Sequence, residues 1–361
     1  MEARAAAIRR DAHLVDGGEN MQQRDVPDAV VAVEVSARPE GRWALSWTPE
    51  FSRGPVTVYG AARPTDIARD TPLARDARRA VEVTLPAPRA YFLLEREDGP
   101  PVTVAQRDVP LAGSVNFRDL GGYATVDGRR VRWGALFRSG HMANLSAQGL
   151  ADFAALDIRT VCDFRMHEER QAEALALPGD PLLEVLGIPP GIGDRFFFHR
   201  LFAATDDPEE VRAALRDMMQ ALVRTGAPRL TRLFEILLAA PREAVLINCS
   251  AGKERTGLAS VLLLSALGVP RATIRHDFML SRRYFPAEAE IPRVLVKYEV
   301  RKPSEEVARR LIMPLLETDE SYLQSAFAAI EADHGSVEGL LSDLYGLGPA
   351  ELARLRDHFT V

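Results

Sequence analysis

Cysteine is almost missing from this chain, which has two in 361 residues. Two thiols cannot build a disulfide framework, so a reducing compartment is expected. No apolar run approaches the ~18 residues of a membrane span. The N-terminal stretch lacks the apolar core, roughly 7–15 residues long, of a secretory signal. A cytoplasmic protein is expected on these grounds. Positive charge is not in excess either, since the net charge is −6. A general nucleic-acid binder favours a basic footprint, and that class is set aside. The seven histidines form no H-E-x-x-H and no Cys/His cluster, and no G-x-x-x-x-G-K-[ST] loop occurs. Chemistry without a metal or other cofactor is expected.

The hydrophobic fraction of 47% is ordinary for a globular protein, and the length suggests two domains. Residues 1–27 read as a polar tail. Residues 28–108 are short runs rich in Val, Tyr, Phe and Trp, parted by Pro, Gly or charged turns. "RWALSWTP" (42–49), "VTVYGAA" (56–62) and "RAYFLLERE" (89–97) are examples. Such spacing predicts an antiparallel β-sandwich. "TLPAPRAYFLLE" resembles the tyrosine corner of fibronectin type III-like domains. That likeness implies that the Tyr91 hydroxyl ties to backbone a few residues upstream, with Trp43 or Trp47 in the core.

From residue 109 to 361 the pattern changes. "RTVCDFR" (159–165) and "EAVLINCS" (243–250) read as buried parallel strands. Helical periodicity runs through 208–226, 229–241 and 256–268, with Gly268 as a stop signal. The remainder reads as helix broken by Pro292, Pro303, Pro314 and Gly335. Helices alternating with buried strands give an α/β domain.

One of the two cysteines sits in "EAVLINCSAGKERTGLASVLLLSALG", a strand, a loop and a helix in succession. Loop N–H groups and a helix N-terminus aimed at one spot bind anions. The same field stabilises a thiolate. A free thiol titrates near ~8.5, and helix N-termini with nearby cations bring it to about 3.5–7.5. Cys249 is therefore the expected nucleophile. Arg255 offers a planar fork to two oxygens of a phosphoryl group. Ser250, Ala251, Gly252, Lys253, Glu254, Arg255 and Thr256 are the expected substrate-binding loop, with Lys253 as a second cation. Thr256 is expected to donate a hydrogen bond to the sulfur.

The loop resembles the phosphate-binding loop of C-x5-R cysteine phosphatases. More narrowly, it is similar to the atypical bacterial tyrosine and dual-specificity phosphatases of the mycobacterial protein tyrosine phosphatase B type, whose loop reads H-C-x-x-G-K-D-R-T-G. "NFRDLGGY" (116–123), "LFRSGHMANLSAQGL" (136–150), "TVCDFRMHEER" (160–170) and "YLQSAFAAIEADHGSVEGLL" (322–341) fit further blocks in order. The resemblance implies a cysteine-phosphatase-like central sheet flanked by helices, preceded here by the small all-β sandwich. It implies a phosphocysteine intermediate. It also implies protein tyrosine or dual-specificity phosphatase activity, with phosphoinositides as further substrates, and helices around 286–330 as a lid.

Two letters depart from the pattern. Asn248 stands where the family has histidine, and Glu254 where it has aspartate. No W-P-D loop occurs, so the resemblance places the general acid inside the loop, at Glu254. Asp163, at the end of the neighbouring strand, is a second candidate for proton transfer or for orienting Arg255. The alternative for Asp163 is a turn cap or a pair with Arg118 or Arg138. Asp194, Asp206 and Asp207 are reserve acids. Arg118 and Asp119 are expected to pair with each other. Cys162 is expected in the core, with a disulfide to Cys249 as the alternative. The expected partner is a phosphorylated protein or phosphoinositide, with a further protein for the sandwich left open. A pseudophosphatase that recognises phosphate groups and a rhodanese-like sulfurtransferase are the competing functions.

Overall fold

The computed structural model describes residues 32–188, 191–239 and 243–361. The polar tail at 1–27 lies outside the described residues. Seven strands come first: β1 (Val33–Arg38), β2 (Arg42–Trp47), β3 (Val56–Ala61), β4 (Ala74–Ala77), β5 (Ala80–Thr84), β6 (Tyr91–Arg96) and β7 (Gly99–Ala105). They form two antiparallel sheets, ordered β1-β2-β5 and β4-β3-β6-β7. Alternation explains why: Trp43, Leu45 and Trp47 of β2 are buried, while Arg42 and Ser46 face out. Both tryptophans fill the shared core, and Trp43 meets Phe92 edge-on at 5.8 Å. The Tyr91 hydroxyl does not follow the expected corner. It accepts from Arg89 Nε at 2.8 Å, because that guanidinium lies beside it, fixed by Asp119 at 2.6 Å.

Five more strands follow: β8 (Arg118–Asp119), β9 (Leu136–Ser139), β10 (Ile158–Asp163), β11 (Leu182–Val185) and β12 (Ala244–Asn248). Their order is β11-β10-β12-β9-β8, all parallel except β8. In the register Cys162 faces Ile247 and Asn248 faces Ser139. Helix α1 (Ala147–Ala155) covers one face through Phe153, against Val161 and Leu246. The other face carries Cys162, Val245, Ile247 and Cys249 under a much larger helical layer.

That layer contains α4 (Pro208–Thr225), α5 (Ala227–Ala239), α6 (Glu254–Ala266), α7 (Arg271–Met279), α9 (Ala287–Lys297), α10 (Glu305–Leu316), α11 (Glu320–His334), α12 (Val337–Tyr345) and α13 (Pro349–Phe359). Short helices α2 (His167–Ala172), α3 (Arg195–Ala204) and α8 (Ser281–Tyr284) complete the count among the described residues. Beyond its charged first residues, helix α6 is largely apolar all round and mostly buried, as that composition requires. No described helix is long and apolar enough to cross a membrane. The architecture is mixed α/β, as expected.

Two expectations need correction. Pro292 and Pro314 lie inside α9 and α10 and do not end them. A proline inside a helix costs one backbone bond, whether exposed as Pro292 is or buried as Pro314 is, and the apolar faces of both helices offset it. Arg118 and Asp119 do not pair. They are neighbours on a strand, so their side chains point to opposite faces. Arg118 reaches Asp277, while Asp119 accepts from Arg89 and from the backbone N–H groups of Gly121 and Gly134.

Beside the Arg89–Asp119 pair, one ring joins the two parts. Trp133 follows β8 in the chain, yet it packs in the sandwich core and donates to the Thr103 carbonyl at 2.9 Å. Arg107 stacks over both Tyr123 and Trp133, 3.9 and 4.9 Å from the ring centres. Gly122, at φ +84°, leaves the space: a Cβ there would lie 2.5 Å from the indole.

Candidate active site

Residues 249–253 link the C-terminal end of β12 to the N-terminus of α6. Open α/β sheets gather ligands at such strand ends. The outward carbonyls of this loop are tied down. Asn116 Nδ2 donates to the Gly252 carbonyl at 2.9 Å, Arg138 Nη2 to the same oxygen at 2.8 Å, and the His141 N–H to Ser250 at 2.9 Å. Fixing the carbonyls outward leaves the N–H groups for the centre. One of them, from Gly252, donates to Cys249 Sγ at 3.2 Å. Gly252 sits at φ +67°, where a Cβ would come within 2.5 Å of the Gly140 nitrogen. No other residue fits that turn.

The "NFRDLGGY" block now has a physical reading. Asn116 adopts a left-handed conformation, φ 55°, which asparagine tolerates, and so aims its amide at the loop. Arg118 and Arg138 are both fully buried and converge on Asp277, which also accepts from the Tyr123 hydroxyl at 3.0 Å. Burial alone would raise the Asp277 carboxyl, but the two guanidinium groups hold it far below the usual carboxylate range.

Arg255 has 11% of its side chain exposed and pairs bidentately with Glu169, at 2.6 and 3.1 Å. It also donates to the Phe164 carbonyl at 3.1 Å. Burial works against the charge on Arg255, but the carboxylate of Glu169 and the Cys249 sulfur hold it above its ordinary value. Glu169 likewise overcomes burial through Arg255 and Lys297, and stays well below the carboxylate range. Glu169 was not singled out by the sequence. The only available signal was its place at the end of the D-F-R-M-H-E-E run.

The two thiols are both free. Cys162 packs in the core on the same sheet face as Cys249, one two-residue step back along the neighbouring strand. Burial pushes the Cys162 thiol up to about 12, which leaves it inert.

Asp163 is corrected from acid or Arg255 orienter to turn cap. Its two oxygens accept from the Arg165 backbone N–H at 2.9 Å and from the Arg165 guanidinium at 2.8–3.1 Å. Arg165, not Arg118 or Arg138, is the pairing arginine. The reserve acids are also occupied. Asp194 caps α3, Asp207 caps α4, and Asp206 pairs with Lys302 at 2.7 Å. Thr256 Oγ1 is buried with no hydrogen-bond partner among the described residues, so the expected bond to sulfur is not formed. Both polar atoms of the Asn248 side chain are buried without partners in the same way.

Lys253 differs most from expectation. Its ammonium turns away from the pocket and donates to the carbonyls of Leu315, Leu316 and Glu317, at 2.5, 2.8 and 2.8 Å. These are the orphan acceptors at the C-terminus of α10, where a cation is favoured. Burial lowers the Lys253 ammonium below its ordinary value. Lys253→Met should therefore lower stability by about 1–3 kcal/mol, the cost of leaving such acceptors unpaired. Thermal melting checks the loss, and hydrogen exchange at 311–317 should quicken. A phosphate ligand would instead show weakened orthophosphate inhibition at unchanged stability.

Glu254 opens α6, with 12% of its side chain exposed and one oxygen 3.7 Å from the Lys253 ammonium. Glu254, Ser250 and Arg255, with Ala251 between them in the loop, form the floor of a pocket. Its walls include Ile188, Phe198, Met218, Phe285, Tyr298 and Leu316. Helix α9 adds Arg293 and Lys297, so α9 and the end of α10 stand over the loop as a cover. The cavity proper is narrow, about 40 Å³, and the open space at its mouth brings the total to about 560 Å³. The arrangement sets polar and charged groups at the loop beneath apolar walls.

The family model described as "Tyrosine phosphatase family" matches residues 109–361. A protein of Cupriavidus necator whose name assigns it to the tyrosine-protein phosphatases is 33% identical over 261 residues, which is 68% of this chain and 85% of that protein. The "triple specificity protein phosphatase" of Mycobacterium tuberculosis is 30% identical over 279 residues, 70% of this chain and 98% of the relative. A tyrosine-protein phosphatase of Nostoc commune is 25% identical over 161 residues, covering 43% of this chain and 50% of its own.

Proposed function

The chain belongs to the tyrosine phosphatase family, and from that premise we propose that it hydrolyses phosphomonoesters through a phosphocysteine intermediate on Cys249. The observation that carries the mechanism is the contact of the Gly252 N–H with Cys249 Sγ, at 3.2 Å, in a loop whose carbonyls face outward. The sulfur attacks phosphorus in line, the S–P bond forms and the ester O–P bond breaks. Glu254 gives its proton to the departing oxygen. Water then attacks phosphorus, its proton passes back to Glu254, the S–P bond breaks, and orthophosphate leaves. Arg255 and the loop N–H groups hold the equatorial oxygens throughout.

Asp163 is left out of this scheme, because both its oxygens are spent on Arg165. The aromatic and aliphatic walls of the pocket support a phosphotyrosine ring as the favoured group. Dual specificity and phosphoinositide hydrolysis follow only if the same pocket accepts smaller alcohols or inositol rings. Two free thiols fit a reducing, cytoplasmic setting. The seven-strand unit is read as a fibronectin type III-like domain over 28–108, followed by a catalytic domain over 109–361.

The test is a phosphatase assay with EDTA and vanadate. Turnover that survives EDTA and is blocked by vanadate supports the proposal. Wild-type protein that binds phosphopeptide without turnover would replace it with the pseudophosphatase reading. The role of Glu254 has its own check. Glu254→Gln should lower turnover of an alkyl phosphate on the order of 10²-fold or more, and of p-nitrophenyl phosphate far less. Nitrophenolate leaves with little need for a proton. Equal losses on both substrates would remove Glu254 as the general acid.

A further inference from the structure

Of the two loop cations, only Arg255 faces the pocket, since Lys253 is committed to α10. A phosphate monoester brings about two negative charges at neutral pH, and one guanidinium already shared with a glutamate is a thin counter-charge. Two further cations stand at the same place. Arg293 Nη2 and Lys297 Nζ, one helical turn apart on α9, donate to the single hydroxyl of Ser250 at 3.1 and 3.0 Å. Ser250 follows the nucleophile directly. Behind each cation stands a carboxylate: Glu173 and Glu290 for Arg293, Glu169 for Lys297. Side-chain exposure is 23% for Arg293 and 19% for Lys297. Against burial, the carboxylates keep both cations charged, above their ordinary values, while their donors meet only a neutral hydroxyl beside the nucleophile. An anion there would give both cations a charged acceptor in its place.

We propose that Arg293 and Lys297 of α9 are phosphate-binding residues, which approach the substrate's phosphoryl group together with Arg255. The proposal rests on the reading of residues 249–255 as a phosphate loop. It gives α9 a role in binding as well as in covering the pocket. The carboxylates behind the pair hold the two side chains extended towards the loop before substrate arrives.

The test is calorimetric titration of the full chain with orthovanadate and with inorganic phosphate. Lys297→Met and Arg293→Met should each weaken both anions on the order of tenfold, and Lys297→Arg should restore most of the loss. Arg309→Met, on the exposed face of α10 and paired with Glu288, is the surface-charge control and should change nothing. Unchanged or tighter anion binding in both methionine variants, with melting temperature checked, overturns the proposal: the pair would then only clamp the helix. If either methionine variant does not fold, Lys297→Gln and Arg293→Gln take their place with the same two outcomes. Anion binding also separates the failures. Inert wild-type protein whose phosphate affinity still drops in the variants removes the hydrolase mechanism and keeps this pair. Active wild-type protein with unaltered anion affinity in the variants does the reverse.

Discussion

Cys249→Ser is expected to lower phosphatase turnover on the order of 10⁴-fold or more, while phosphate binding persists. The serine oxygen would occupy the same buried position and accept the same Gly252 N–H, which lies 3.2 Å from the sulfur in the parent. Geometry is thus kept and only the nucleophile changes. An alkoxide is far harder to form at neutral pH than a thiolate, and it is a poor leaving group in the second step. Steady-state assays on p-nitrophenyl phosphate measure the loss, and phosphopeptide titration measures what remains. Residual turnover within tenfold of the parent would mean that the sulfur is not the attacking atom. A stable fold with retained binding would show that the loop is held by Asn116, Arg138 and His141 and not by the thiol.

Asp277→Ala is expected to cost about 3–5 kcal/mol, the usual price of leaving buried charge uncompensated. Asp277 is the common anion of Arg118 and Arg138, both fully buried, and removing it leaves two guanidinium groups against each other. The loss reaches the site as well, since Arg138 also holds the Gly252 carbonyl at 2.8 Å. Denaturant titration should show the drop in midpoint, and Asp277→Asn should lose nearly as much, since it keeps shape without charge. The pH dependence follows from the depressed carboxyl. The unfolded chain takes up this proton first as pH falls, near the ordinary value of about 4. The contribution is therefore complete above that pH and is lost as pH drops towards the folded value. The parent should lose stability steeply between roughly pH 5 and pH 2, and the variant less so. Equal slopes in both would show that the triad is not the source.

Much of this was legible because local patterns and packing agree. The strand at 244–248 and helix at 254–266 were plain from their apolar runs, and so was the loop between them. Strand β9 was not, because Arg138 sits in its middle and reads as surface. A buried arginine is intelligible only once Asp277, on a helix far along the chain, is seen opposite it. Lys253 misled for the same reason. Its charge suggested the substrate, but its acceptors are carbonyls of α10, which no spacing in the sequence could indicate. Glu169 could have been found from its block. Arg293 and Lys297 could not, since an i, i+4 pair of cations on an amphipathic helix usually faces water.

Trp133 has a consequence for synthesis. The ribosome delivers residues 32–105 first, and with them every strand of the sandwich. The ring that fills their core arrives nearly thirty residues later, beyond β8, and donates back to Thr103. Until then the nascent sandwich carries an open apolar slot. Its closure waits on the segment between β8 and β9 of the five-stranded sheet, so the two units reach their final packing together and not in turn.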